Sequence, residues 1–362
     1  MAGDEVRYGI IGTGMMGLEH AWNLSAIDGT RITAIADPHI ESRRLLRQFA
    51  QLGDDVAEFA DHKALINSGL CDAVVVATPN HTHVDVMVDV LAAPVDVLVE
   101  KPLCTTVADC QRLIAAAVGS DRVVWVGLEY RYMPPVARLV QEVRSGAIGD
   151  VKMLSIREHR FPFLTKVGNW NRFNSNTGGT LVEKCCHFFD LMNHVIRSEP
   201  VTVMASGGQD VNHLTESYGG RIPDILDNAF VIVEYVNGSR AALDLCMFAE
   251  ASHNQEEISV VGDEGKVEAF LPSCEVRCAR RREGPAGVKR EVVKDSRVRY
   301  EGFHHGSSYL EHLDFLDAVR RRTPAVVSMG DALLSVAMGV GAQISIEEGR
   351  VVNLGEVLGA QP

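Results

Sequence analysis

Glu183, His187 and Asp190 stand in the stretch T-G-G-T-L-V-E-K-C-C-H-F-F-D, residues 177–190. The Gly pair reads as a turn into a helix, and a four-residue spacing puts Glu183 and His187 on one helical face. Asp190, three residues further on, lies near that face and is placed to hold the imidazole in one tautomer. A carboxylate, an imidazole and an orienting carboxylate together are what proton transfer requires. The alternative is a half-buried helix whose histidine and acids are ordinary. The N-terminal end of the chain bears on that choice.

There, the short apolar strand Arg7–Ile11 runs into G-T-G-M-M-G. Gly12, Gly14 and Gly17 fit G-x-G-x-x-G, and a helix is expected after them to about Ala26. The first Gly permits a tight turn, the second lets backbone approach a pyrophosphate, and the third lets helix pack on strand. The helix N-terminus adds N–H groups and the positive end of a dipole, so Thr13, Met15 and Met16 join the expected cofactor contacts. A second strand, Arg31–Ala36, ends in Asp37, where a dinucleotide fold keeps the carboxylate for the adenosine ribose. That carboxylate repels a 2′-phosphate, which favours NAD over NADP. Arg43 and Arg44 read as a solvated helix face.

Apolar strands at Ala73–Ala77, Asp96–Val99 and Val123–Gly127 alternate with helical patterns, as buried parallel strands do. The first of them ends at Thr78-Pro79-Asn80-His81-Thr82-His83 and the second at Glu100-Lys101-Pro102. Ligands bind at the carboxyl ends of such strands, so Lys101 is expected near the nicotinamide end of a dinucleotide, where its ammonium can polarise a substrate oxygen. After Gly149 longer, alternating strands take over, with hairpins through Asn237-Gly238 and Asp263-Glu264-Gly265, and two late helices at Tyr309–Arg320 and Asp331–Ile344. The fold class is therefore α/β: a Rossmann domain over 1–127, then an α+β domain over 128–362 carrying a large, mostly antiparallel open sheet. That sheet is a plausible dimer surface. Lys152, Arg157, Arg160, Lys166 and Arg172 crowd together with only Glu158 opposing them. They form either a pocket for an anionic or hydroxylated ligand or a solvated strand face.

The bulk numbers exclude whole classes. A net charge of -13 over 362 residues argues against nucleic acid or an anionic membrane as partner. No basic, apolar leader opens the chain and no apolar run is read as long enough to span a bilayer, so the expected location is the cytoplasm. The eight cysteines show no metal-ligand spacing and read as reduced thiols, and no metal is expected.

Taken in order, the motifs resemble the glucose–fructose oxidoreductase / inositol dehydrogenase / rhizopine-catabolism (Gfo/Idh/MocA) family over nearly the whole chain. The matching residues are Gly12–Gly17, T-P-N-x-x-H at Thr78–His83, E-K-P at Glu100–Pro102, Tyr130-Arg131, Trp170 and H-x-x-D at His187 and Asp190. His305-Gly306 and the S-V-A-x-G pattern from Ser335 match the family's C-terminal segment. The resemblance implies Lys101 and His187 as catalytic residues, with Glu183 beside them. It further implies Thr78, Pro79, Asn80, His83, Glu100, Lys101, Arg131 and Trp170 at the cofactor. Lys101, Arg157, His159, Arg172, Lys184, His187 and His304 are the expected substrate contacts. The implied reaction is hydride transfer between NAD and a ring secondary hydroxyl of a cyclitol or sugar, in a homodimer or homotetramer. The alternative is an NAD-dependent glycoside hydrolase that works by transient oxidation, elimination and re-reduction. A third reading is a non-catalytic NAD-binding sensor. The chain departs from the pattern at Glu183 (often Asp), Lys184 (usually apolar), Cys185 (usually Gly) and in the split Trp170-Asn171-Arg172. These departures bear on substrate identity more than on chemistry.

Overall fold

The computed structural model describes residues 5–359. The outermost residues of the two expected domains, and the first four of the stretch read as lacking a leader, lie outside them. In the first half of the chain the elements are β1 (Val6–Ile11), α1 (Met15–Ser25), β2 (Thr30–Ala36), α2 (Ile40–Phe49), β3 (Ala57–Phe59) and α3 (His62–Ile66). They continue with β4 (Ala73–Val76), α4 (His83–Leu91), β5 (Asp96–Glu100), α5 (Val107–Ala116) and β6 (Val124–Gly127). All six strands pair in parallel in the order β3-β2-β1-β4-β5-β6. Every residue of β4 and β5 is buried, which is why Ala73–Val76 and the middle of β5, Val97–Val99, read as apolar runs. The order reverses between β1 and β4, and a crevice at the carboxyl ends of those two strands is where such a sheet binds ligands. Gly12, at φ +93°, closes the end of β1 so tightly against β4 that an added Cβ would lie 2.5 Å from the Ala77 carbonyl oxygen.

The second half contains α6 (Pro134–Arg144), β7 (Val151–His159), α7 (Asn174–Thr177), α8 (Thr180–Glu183), α9 (Cys186–Ile196), β8 (Pro200–Gly208), β9 (Asn228–Tyr235) and β10 (Arg240–Cys246). Then come β11 (Glu256–Gly262), β12 (Gly265–Leu271), β13 (Glu275–Arg280), β14 (Lys289–Val292), α10 (Ser307–Arg321), α11 (Met329–Glu348), β15 (Val352–Asn353) and α12 (Leu354–Leu358). The nine-stranded sheet runs β14-β13-β12-β11-β7-β10-β9-β8-β15, antiparallel except where β10 lies parallel to β7. One face is apolar. Leu154, Ile156, Val231, Val233 and Leu243 point into a core filled from the helices by Leu181, Phe188, Phe189 and Met192. Each such large side chain, fully buried, contributes roughly 1.5–3 kcal/mol.

By internal contacts the chain divides into two units. The first joins residues 1–129 to 166–170 and 297–333, and the second takes 130–165, 171–296 and 334–362. The first unit thus takes in the late helix α10, whose Phe315 meets the Tyr8 and Trp125 rings edge-on. Two sequence expectations need correction. The helix expected from the Gly pair through Asp190 is broken: α8 ends at Glu183, and α9 begins at Cys186 after a turn at Lys184 and Cys185. The Cys185 N–H reaches back five residues, to the Thr180 carbonyl, so one residue more than in an α-helical turn is fitted there. And α11, 20 residues long, is apolar enough by length and composition to cross a membrane, which was not expected of any run here. Half of its apolar window is buried within the protein, as in a core helix.

Candidate active site

In the first unit the glycine loop forms a cradle. The N–H of Thr13 donates to Asp37 Oδ2 at 2.9 Å, and His39 N–H donates to Oδ1 at 2.8 Å, so the carboxylate at the end of β2 is fixed beside the loop. Gly17 packs so close under Gly12 that a Cβ there would come within 2.0 Å of the Gly12 carbonyl oxygen. Gly14, in contrast, has nothing within 4 Å of where a Cβ would stand. The Thr13 hydroxyl is buried with no hydrogen-bond partner among the described residues. An open backbone surface, an unanswered hydroxyl, the start of α1 at Met15 and Met16, and a carboxylate with spare lone pairs together fit the pyrophosphate and adenosine ribose of NAD. Arg43, read as solvated, instead donates to the Asp37 carbonyl and pairs with Glu58, and only Arg44 is an exposed partner of Glu41.

The loops after β4 and β5 are tied to each other. Both ring nitrogens of His83 meet backbone carbonyls, Pro102 at 2.8 Å and Thr78 at 3.0 Å. His83 thereby sets the spacing of the Thr78-Pro79-Asn80 turn against Lys101-Pro102, whose peptide bond is cis. Asn80 is buried, Lys101 is half-buried, and the Trp170 ring lies 6.3 Å from that of His81. Behind Lys101 runs a buried polar network that the sequence did not disclose. Glu100 accepts the Lys101 N–H at 3.1 Å and meets His20 Nε2 at 2.8 Å, and His20 Nδ1 meets His312 Nε2 at 2.8 Å. Burial alone would raise the Glu100 carboxyl, but the hydrogen bond and charge of His20, with Lys101 and His304 nearby, bring it down to about 2. Burial pushes His312 well below the ordinary imidazole value, the neighbouring His20 adding to the effect. His304, expected at the substrate, lies between Glu19 Oε1 at 3.3 Å and Glu129 Oε1 at 3.8 Å. Burial raises the Glu129 carboxyl, with the His304 charge opposing.

In the second unit the positive φ of Gly178 and Gly179 makes the expected turn into α8. A Cβ on Gly179 would collide with Gln343, whose amide donates to the Gly178 carbonyl. Gly339 of α11 lets that helix approach the Leu181 carbonyl, fixing α8 from the other side. Glu183 and His187 are both buried, at 7% and 2% exposure. The imidazole is stacked on the Tyr130 ring, centroids 4.0 Å apart and planes 10° apart. Asp190, read as the orienter of His187, is gripped by Arg131 through bonds of 2.6 and 2.5 Å. Arg131, expected at the cofactor, thus takes part in a buried ion pair.

The basic cluster is not a free positive pocket. Along β7, Leu154, Ile156 and Glu158 point into the core, so Arg157 and His159 point to the opposite face of the sheet. There Arg157 pairs with Glu257 directly across the ladder, and His159 meets Asp244 at 2.9 Å. Strand alternation thus separates both residues from Lys184, which lies against Glu158 on the inner face. Lys152 pairs with Asp150 and Asp263, and buried Arg172 lies 3.5 Å from Glu216. Apart from Asp150, two residues before Lys152, these acids come from other strands and loops, out of reach of a reading along the chain. Lys184, expected to contact substrate, is buried, with its ammonium 3.0 Å from Glu158 and 2.6 Å from the Tyr130 hydroxyl. Tyr130 and Glu158 had no role assigned from sequence; Glu158 carried a signal, an acid at an inward-facing position of an alternating strand.

Residues 6–128 match the model of the Gfo/Idh/MocA oxidoreductase family's NAD-binding Rossmann fold, and residues 140–354 match that family's C-terminal alpha/beta domain. The chain is 29% identical to the myo-inositol 2-dehydrogenase of Thermotoga maritima, covering 98% of this chain and 100% of the relative. It is 23% identical to the scyllo-inositol 2-dehydrogenase (NAD(+)) of Bacillus subtilis over 97% of this chain and 96% of the relative. Among solved structures, a probable dehydrogenase from Thermotoga maritima superposes with a TM-score of 0.77 at 25% identity, covering 97% of this chain and 100% of that one. Levoglucosan dehydrogenase in complex with NADH reaches 0.84 at 18% identity, covering 96% and 99%, a likeness of fold.

Proposed function

The chain belongs to the Gfo/Idh/MocA family of oxidoreductases, and from that premise we propose that it reversibly oxidises a ring secondary hydroxyl of a cyclitol or sugar with NAD. When bound, NAD supplies the hydride acceptor. The chain's own residues do the rest. The open backbone at Gly14 and the Thr13 hydroxyl take the pyrophosphate, and Asp37 takes the adenosine ribose and repels a 2′-phosphate. His187 accepts the proton of the substrate hydroxyl, Lys101 stabilises the oxygen as it loses that proton, and Glu183 tunes the pair. The observation that carries the reading is the Asp37 carboxylate fixed beside an open glycine cradle, in a chain matched over nearly its full length by relatives named as inositol dehydrogenases.

The protein is proposed to work in the cytoplasm on a small molecule, as a homodimer or homotetramer. Support for assembly lies on the outer face of the nine-stranded sheet, where Phe230, Met153, Met204 and Ile232 are 66%, 59%, 47% and 42% exposed. The basic cluster would suit an anionic glycoside, the substrate of the glycosidase alternative, but the ion pairs of Lys152, Arg157, Arg172 and Lys184 lend that alternative no support.

The test is absorbance at 340 nm with purified protein and NAD across cyclitols, aldoses and uronates, with matching glycosides alongside. NADH should accumulate with a free polyol or sugar. Glycoside cleavage at flat absorbance would instead establish the redox-assisted hydrolase, and inertness across the panel would revive a binding role. In His187→Ala, turnover should fall by roughly 10²–10⁴ while NAD affinity stays within a few-fold. Collapse of NAD binding would refute the assigned roles.

A further inference from the structure

Lys184 breaks the pattern of its surroundings. It sits in the turn between α8 and α9, 4% exposed, where an ammonium is costly unless compensated. Its Nζ lies 3.0 Å from Glu158 of β7, donates to the Tyr130 hydroxyl at 2.6 Å, and stands 4.8 Å from the Tyr130 ring centroid and 5.4 Å from that of Phe188. The Tyr130 ring is the surface on which the His187 imidazole is stacked. The chain of contact is therefore Glu158 to Lys184 to Tyr130 to His187.

We infer that Lys184 is a positioning residue: through Tyr130 it fixes the plane of the His187 imidazole and, with Glu158, sets the charge felt by that imidazole. The inference rests on His187 being the base of the proposed reaction. Its geometric basis does not depend on the substrate.

The groups that face this cluster come from several elements. Glu256 of β11 lies directly opposite Glu158 in the ladder and is buried too, and the Arg160 guanidinium stands 3.5 Å from Glu158. Glu183 and Asp190 flank His187 on α8 and α9, the latter held by Arg131. Burial pushes the Glu158 carboxyl up to about 7, Glu256 adding to the rise while Lys184 and Arg160 oppose it. The charge behind Tyr130 thus changes near neutrality. With Glu158 ionised, its charge offsets that of Lys184; with Glu158 protonated, that offset is gone.

The signs follow. A cation near His187 disfavours the imidazolium, so removing it raises the pH at which His187 titrates. Removing the balancing carboxylate lowers it. The experiment uses full-length protein labelled with 13C-histidine and follows the His187 Cε1–H resonance, assigned by its loss in His187→Gln, from pH 5 to 9 without substrate. Lys184→Met should move the midpoint up by about half a pH unit and Glu158→Gln should move it down by a few tenths, while Lys184→Arg stays near the parent. With NAD and myo-inositol, the acidic limb of kcat/KM should move in the same directions, with NAD affinity unchanged within twofold.

Midpoints that stay put, or that move the same way in both variants, overturn the proposal. If Lys184→Met does not fold, Glu158→Gln alone decides it, since Gln keeps the shape and the downward shift is specific to the lost charge. Because the titration needs no turnover, an inert enzyme that still shows the opposed shifts sinks the dehydrogenase reading and leaves the Lys184 coupling standing. Activity with unmoved midpoints does the reverse.

Discussion

Gly14 and Gly17 are three residues apart in one motif, yet substituting them should produce opposite phenotypes. At Gly14 the backbone has φ -73° and ψ -161°, a conformation open to any L-residue, and the position of a Cβ meets nothing within 4 Å. Gly14→Ala should therefore leave the protein folded, with stability within about 0.5 kcal/mol of the parent or slightly above it, because alanine restricts the unfolded chain. The same methyl stands on the surface that a pyrophosphate must approach. Losing two backbone contacts to an anion, at about 1.5–3 kcal/mol each, weakens NAD binding by roughly 10²-fold or more. At Gly17 a Cβ would stand 2.0 Å from the Gly12 carbonyl oxygen, a backbone atom with no rotamer to relieve it. Gly17→Ala must push α1 off β1 and should cost about 1–3 kcal/mol or more of stability even without cofactor. Urea unfolding of the apoprotein and calorimetric titration with NAD separate the two effects. A Gly14→Ala protein that binds NAD as tightly as the parent would show that the open surface is not the phosphate site. A Gly17→Ala protein of parental stability would show that the close approach is not real.

Two further outcomes are expected. Glu100 is depressed from 4.5 to about 2, so its stabilising contribution is complete above pH 4.5 and is lost as pH falls from there toward 2; His20→Gln should lower stability above pH 4.5 and shrink the loss below it, in urea titrations at stepped pH, and an unchanged acid profile would refute the His20–Glu100 pairing. Phe230→Glu, on the outer face of the sheet, should convert a dimer or tetramer to a smaller species by light scattering without lowering thermal stability; parent protein already monomeric at micromolar concentration would remove the assembly proposal.

Local features were legible in the sequence and distant pairings were not. The unbroken apolar run Ala73–Val76, wholly buried, and the alternation of Asn228–Tyr235 each announce their environment within a few residues, and both strands lie where the pattern puts them. The glycine loop is equally local, because the backbone conformation it needs is written in the glycines themselves. His20 and His312 are 292 positions apart, and no spacing rule connects them. The basic cluster misled for the same reason: Glu257, which neutralises Arg157, is its neighbour only through the register of β11 on β7. The broken helix at Lys184 was hidden because both halves keep helical spacing, and only the extra residue in the turn distinguishes them. The strands β13 and β14 and the short β3 went unread, lying at or near sheet edges where alternation is weak.

The return of α10 to the parallel sheet has a consequence for how the chain is made. Trp125 donates to Glu311, Asp96 holds Arg322 through bonds of 2.9 and 2.8 Å, and Phe315 covers Tyr8. When β6 leaves the ribosome none of these partners exists. At about 5–20 residues per second, the roughly 195 residues from the end of β6 to Arg322 take on the order of 10–40 s to synthesise, and the sheet waits that long with an apolar flank uncovered. A ribosome stalled, or a message truncated, anywhere before residue 297 releases a Rossmann sheet that cannot close its own core. Chaperone demand should therefore track the translation speed of the second half of the message, although the vulnerable surface is encoded in the first.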